Sequence, residues 1–276
     1  MKTILVVMHN PESAARLLRP VTALARERGA HVIGLHVVES IQPHVDASML
    51  AAGCAFEPIS AEQVARAKEV QAIFAAATEG EEFVAEWRYV ETDASTTADR
   101  VIETALSVDL VVMAQEQPTS EAGNRRFTLE RTIKGAGRPV LVLPYAGDFE
   151  AFGAKALLGW NPTREAARAA HDAMPLLEDG SVTILTSHGA GDGGTALATA
   201  KEVALAFDRR GISAEIVDRT DGGIPVGDML LNEAFERGCD MIVTGAFGHS
   251  KLYDFVIGAV TSHLLDAMTA PVLFSN

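Results

Sequence analysis

The order of apolar runs and helical stretches in residues 3–143 recurs in residues 155–275, and this internal repeat constrains the fold of the 276-residue chain more than any other feature. Each half opens on an apolar run followed by Asn-Pro. Thr3-Ile4-Leu5-Val6-Val7-Met8 precedes Asn10-Pro11, and Lys155-Ala156-Leu157-Leu158-Gly159-Trp160 precedes Asn161-Pro162. An Asn side chain accepts backbone N–H groups as an N-cap, and Pro suits the first helical position because its φ is preset. The pattern therefore predicts a helix started in the same way in both halves. The closing pieces match too: Asp109-Leu110-Val111-Val112-Met113-Ala114 recurs as Asp240-Met241-Ile242-Val243-Thr244-Gly245, and Arg138-Pro139-Val140-Leu141 recurs as Ala270-Pro271-Val272-Leu273.

Between these ends, apolar runs near 31–38, 83–90, 181–187 and 214–218 alternate with helical spacing near 61–79, 95–107, 193–210 and 226–237. Parallel strands need crossover connections, and right-handed crossovers place helices on both faces of the sheet. The expectation is an α/β chain of two tandem domains, 1–146 and 154–276, each an open five-stranded parallel sheet with helices on both faces. A linker is expected near 145–153. The stretch 40–60 has no counterpart in the second half and reads as a surface loop or a short helix.

The run Asp240–Thr244 ends at Gly245-Ala246-Phe247-Gly248, and after nine residues Gly258-Ala259-Val260-Thr261 opens a stretch with helical spacing. A strand end then faces a helix start, where unpaired N–H groups and the helix dipole favour an anion and glycine lets the backbone approach a phosphate. The same glycines also suit a plain turn after a strand.

Gly-x2-Gly-x9-Gly followed by a small polar residue resembles the nucleotide motif of the universal stress protein family. With the two Asn-Pro starts and the Pro-Val-Leu ends, the resemblance spans nearly the whole chain. It implies an adenine-nucleotide-binding, Rossmann-like fold repeated in tandem. It also implies roles for residues of the second half. Asn161, with Pro162 after it, stands where the family carries an Asp that contacts ribose or a phosphate-bound metal. Ser187 stands where backbone holds adenine. Thr244 and Gly245 would lie under the ribose, with Gly248, His249, Gly258, Ala259, Val260 and Thr261 around the phosphates. Two departures matter: Ala259 replaces a Ser or Thr donor, and Asn161 brings no charge for Mg²⁺. His249 either serves phosphate or, like Ser250, begins a short helix through residues 251–256.

The first half carries no such motif. After Ala114 it runs Gln115-Glu116-Gln117-Pro118-Thr119-Ser120-Glu121, which lacks paired glycines and puts carboxylates where phosphates would sit. Its expected role is that of a packed partner in place of a second copy, and composition leaves further homodimer formation open.

The formal net charge of −14, with no Lys/Arg run, argues against nucleic acid as a partner. No segment approaches eighteen uncharged apolar residues, and the opening Met1–Asn10 is too short for a signal peptide, so a cytoplasmic protein without membrane contact is expected. Cys54 and Cys239 are isolated, which suggests no metal or redox pair. His36 and His188, near strand ends, read as core or surface histidines. No Gly-x-Ser-x-Gly, His-Glu-x-x-His or Walker-type loop occurs, so neither catalytic nor metal-ligating residues are assigned. The reading is a stress-response regulatory protein that binds ATP or AMP, with or without Mg²⁺, in its second half. The alternatives are an interaction module without nucleotide and a weak ATPase.

Overall fold

Strands β1 (Thr3–Val7), β2 (His31–Glu39), β3 (Ala85–Thr92), β4 (Leu110–Ala114) and β5 (Val140–Leu143) come from the first half. Strands β6 (Lys155–Trp160), β7 (Ser181–His188), β8 (Ser213–Thr220), β9 (Met241–Gly245) and β10 (Val272–Ser275) come from the second. The computed structural model describes residues 1–39, 60–92, 95–117, 122–188, 194–220, 222–248 and 258–276. The stretch 40–59, with Cys54, and the segment carrying His249, Ser250 and Lys251 lie outside the described residues.

All ten strands join in one sheet, in the order β3-β2-β1-β4-β5-β10-β9-β6-β7-β8. Pairing is parallel within each half, and β5 meets β10 antiparallel with Leu141 opposite Leu273. From that central pair outward each half presents its fifth, fourth, first, second and third strand, so the halves are related by an approximate twofold axis. The carboxyl ends of the two sets of strands therefore point to opposite edges of the sheet.

Helices α1 (Pro11–Arg28), α2 (Ala61–Thr78), α5 (Arg164–Ala173) and α6 (Gly194–Asp208) cover one face. Helices α3 (Thr97–Ala105), α4 (Ala122–Gly135), α7 (Val226–Arg237) and α8 (Ala259–Ala267) cover the other. Adjacent strand residues divide between the two layers as the pleat requires: Ile4 and Leu158 pack with Leu17, Phe74, Ala169 and Phe207, while Leu5 and Leu157 pack with Val101, Ile133, Leu230 and Leu264. Cover on both faces explains why β1, β4, β9 and β10 are near-continuous apolar runs. Among the described residues no helix is long and apolar enough to cross a membrane.

The two Asn-Pro starts do not behave alike. Asn10 caps α1: its side chain accepts from Ser13 N at 2.8 Å, and Ser13 completes a reciprocal box. In the second half the cap is Thr163, whose hydroxyl accepts from Ala166 N at 3.3 Å, and the helix begins only at Arg164. Asn161 instead accepts from the Thr163 hydroxyl at 3.1 Å, and Pro162 precedes the cap rather than following it. The expected common start is thus corrected, and Asn161 is released from the helix.

A repeated aspartate fastens the first strand of each half. Asp109 accepts from the Lys2 and Thr3 amides at 2.5 and 3.1 Å. Asp240 accepts from Gly153, Ala154 and Lys155 at 3.0, 2.9 and 3.2 Å, which pins the end of the connecting segment. Tyr145 at its other end donates its amide to Gln115 at 3.1 Å. Asp240→Ala strands three amides at once and is expected to cost about 2 kcal/mol. A thermal melt should show the midpoint falling by roughly 4–8 °C for a chain of this size.

Candidate functional site

In open α/β sheets the ligand crevice lies beyond the carboxyl ends of the strands where strand order reverses. In the second half that place is between β6 and β9, because β6 leads to β7 on one side while β9 lies on the other. A cavity of about 520 Å³ opens there, within the range of small-molecule sites.

Its base is formed by the strand ends: Gly159, Trp160 and Asn161 after β6, Leu185 and Ser187 on β7, Thr244 and Gly245 on β9. Trp160, 7% exposed, is fixed by its indole N–H donating to Thr199 Oγ1 at 3.1 Å. One wall is apolar, made by Val226, Met229 and Leu230 of α7. The other end is lined by Phe247, Gly248, Gly258, Ala259, Val260 and Thr261, with Thr163 and Glu165 from the start of α5.

The start of α8 has a distinctive backbone. Gly258 is its N-cap in extended conformation, and among the described residues no side chain caps the helix. The first helical bond runs from Ser262 N to Gly258 O at 3.0 Å, so the amides of Ala259, Val260 and Thr261 precede the intrahelical ladder. By contrast α1, α2 and α3 each carry a capping box, and α5 is capped by Thr163. Helix α7, whose Val226 also lines the cavity, is likewise without a side-chain cap. Each such helix end offers an anion about 0.3–1 kcal/mol, and up to about 2 kcal/mol where it is partly buried.

The glycines divide by cause. A Cβ on Gly245 would lie 2.6 Å from the Glu165 carbonyl carbon and 2.7 Å from Ala166 N, so the first turn of α5 is seated on Gly245 itself. Among the described residues a Cβ on Gly248 would first meet the Glu165 side chain, 2.9 Å from Oε2. One on Gly258 would meet nothing among the described residues closer than Thr261 Oγ1 at 3.9 Å. None of the three adopts positive φ, whereas Phe247 between them does, at φ 63°. A bulky residue there is strained by about 1–3 kcal/mol, and its ring is partly buried against the core beneath.

Nearly all residues singled out in the sequence converge here: Asn161, Ser187, Thr244, Gly245, Gly248, Gly258, Ala259, Val260 and Thr261 all line the cavity. Pro162 does not line it, and His249 lies outside the described residues. Sequence reasoning missed Glu165, Phe247, Leu185 and the α7 wall. Glu165 is 6% exposed, bonds Arg164 Nε through Oε1 at 2.5 Å, and is the single titratable side chain among the described lining residues. Among the described residues no group of three or more His, Cys, Asp or Glu is placed to hold a metal ion.

The matching place in the first half is built differently. Gln115, 4% exposed, follows β4 and donates to Leu265 O on α8 at 2.8 Å. Helix α4 is 14 residues long where α8 has nine, and Arg125 near its start donates to Glu116, just after β4, at 3.1 Å. Its Arg126 crosses to α8, with Nη1 2.8 Å from Asp266 and Nη2 donating to Ser262 O at 3.3 Å.

Residues 1–144 and 161–275 each match the universal stress protein family. No curated protein matches the chain. Among solved structures, a universal stress protein from Archaeoglobus fulgidus superposes with TM-score 0.75 at 14% identity, covering 99% of this chain and 96% of its own. A Pseudomonas aeruginosa chain assigned to the same family gives TM-score 0.60 at 15% identity, covering 100% and 93%. A universal stress protein from Archaeoglobus fulgidus in complex with dAMP matches 51% of this chain and 96% of its own, with TM-score 0.36 and 18% identity.

Proposed function

The chain belongs to the universal stress protein family, and from that premise we propose that its second domain, residues 154–276, binds an adenine nucleotide in the crevice between β6 and β9. The observation that carries this reading is the meeting of a roughly 520 Å³ cavity with the uncapped amide end of α8. The apolar wall of Val226, Met229 and Leu230 suits a purine; burying about 100 Å² of it contributes about 2.5 kcal/mol. Asn161 and Ser187 supply polar atoms for ribose and base, while the Ala259, Val260 and Thr261 amides face the phosphates. The first domain, residues 1–146, serves as the packed partner. A cytoplasmic regulator in the response to stress, whose shape or partners change with occupancy, is the role we assign.

Glu165 refines the ligand. A carboxylate about 5 Å from a phosphate oxygen costs about 3 kcal/mol at an effective dielectric of 20, which is comparable to what two uncapped helix ends supply. AMP is therefore favoured over bare ATP, and ATP is favoured as its Mg²⁺ complex, for which Glu165 is the nearest charge. Arg164 at 2.5 Å from Glu165 offsets part of that charge, so Glu165→Gln is expected to tighten metal-free ATP about tenfold rather than by the full cost. Titrations with and without Mg²⁺ check this, and equal affinities in both proteins would remove Glu165 from the phosphate end.

Equilibrium titration of the purified protein with AMP and ATP tests the main reading; no binding at millimolar nucleotide leaves an interaction module. Phosphate release at saturating ATP tests weak hydrolysis separately. Ala259→Ser adds a hydroxyl at the first helical position and should tighten binding by about 1 kcal/mol. An unaltered dissociation constant would show that the hydroxyl does not reach the ligand.

A further inference from the structure

The first half holds a pocket of its own at the opposite edge of the sheet. It lies beyond the carboxyl ends of β1 and β2 and encloses about 170 Å³, the share of liquid taken by about five or six waters. Counting from the strand starts Thr3 and Lys155, His9 stands where Asn161 stands in the second half. The lining differs throughout: His9 and His36, Arg66 of α2, Arg125 of α4 and Thr97 at the start of α3 replace apolar and glycine residues. Two guanidiniums and two imidazoles thus reach one small space from four elements.

The charges around it are arranged for an anion. Glu39, the one carboxylate among the described lining residues, is engaged by the first amide of α3, with Thr97 N donating to Oε1 at 2.5 Å. Arg125 pairs with Glu116, which is not among the described lining residues, at 3.1 Å, and Arg66 with Glu62 at 2.9 Å. Glu62 is 80% exposed, and such a pair contributes little. His36 is 3% exposed, and its Nδ1 lies 2.6 Å from Met8 O, so that nitrogen is the donor. Burial, then Arg125, then His36 hold the His9 imidazole down to about 4. Both imidazoles are neutral near pH 7, and the positive charge of the pocket rests on the two arginines.

We propose that this pocket is a second ligand site, specific for a compact phosphate-type oxyanion, either inorganic phosphate or a small phosphate monoester, and closed to nucleotides. Arg66 from α2, Arg125 from α4 and the His9 imidazole after β1 supply donors from three elements, which match a tetrahedral group with acceptors on every side better than a planar carboxylate. Two guanidiniums match its two charges. The volume is well below the roughly 300 Å³ at which sites for larger ligands begin. The inference stands independently of the nucleotide reading, since it concerns different residues at the other edge of the sheet.

The experiment follows the imidazole C2–H resonances of His9 and His36 by NMR during titration with inorganic phosphate, glycerol phosphate, succinate and AMP at matched ionic strength. Saturable shifts are expected with both phosphates by about 10 mM, weakened about tenfold by Arg66→Gln or Arg125→Gln and unchanged by Gly248→Val in the other half. Shifts no larger than those with chloride, or arginine variants that respond like the parent, overturn the proposal. Succinate binding as tightly as phosphate overturns the tetrahedral preference. Saturable movement of both resonances by AMP makes the pocket a nucleotide site instead, which also overturns it.

Discussion

Gly245→Val is expected to destabilise the protein by at least about 3 kcal/mol, at the upper end of what overpacking costs, before any ligand is considered. The added Cβ would lie 2.6 and 2.7 Å from backbone atoms of Glu165 and Ala166, and backbone in the first turn of α5 cannot swing aside as a side-chain tip can. Relief requires lifting α5, whose Ala166, Ala169, Ala170 and Ala173 are buried. Those small residues hold the helix close to the sheet, so displacement opens voids along its length. Even Gly245→Ala should show part of the loss, because the Cβ alone makes the clash. Chemical denaturation monitored by circular dichroism measures it. A valine variant within about 0.5 kcal/mol of the parent would mean that α5 is not seated on this glycine.

That result bears on how much the sequence can say about a glycine. The resemblance drew attention to Gly245 for its place under a ribose, yet its nearest neighbours are the backbone of α5, from a segment eighty residues earlier. The strands were legible because a sheet covered on both faces writes itself as unbroken apolar runs, and the repeated Asp109 and Asp240 mark equivalent registers. The antiparallel union of β5 with β10 was not, since each is a short apolar strand that asks for a neighbour without naming it.

The helix starts show where a sharper reading was available. Asn10 has Ser13 three residues on to complete a reciprocal box, whereas Asn161 has Arg164, which cannot accept a backbone N–H. That difference pointed to Thr163. Helix α4 was missed because its buried stripe includes Thr128 and Thr132 beside Leu129 and Ile133, which breaks the apolar periodicity. Its arrival in the first-half crevice, with Arg125, is what makes that crevice polar and small. Met229 and Leu230 fall in a stretch whose sequence shows only helical spacing, and an acidic residue in a first helical turn, such as Glu165, suits the helix dipole with no ligand at all. In each case the sequence carries the residue and the fold decides what it faces.

Gly248→Val is expected to separate ligand binding from stability. Among the described residues its nearest neighbour would be the Glu165 side chain, at 2.9 Å from Oε2, the far end of a flexible side chain. Gly248 is exposed at the mouth of the cavity. The melt should stay within about 0.5 kcal/mol of the parent, as for a surface substitution. A branched side chain there takes the space between the β9 loop and the α8 amides, which is where the phosphates are proposed to lie. Affinity for AMP and ATP should fall at least about thirtyfold, equivalent to about 2 kcal/mol. The two valine variants therefore form a pair: one loses the fold, the other loses the ligand while keeping the fold. Unchanged affinity in Gly248→Val would move the phosphates away from this loop. A stability loss as large as that of Gly245→Val would instead make both glycines packing devices and leave the α8 amides as the remaining support for an anion.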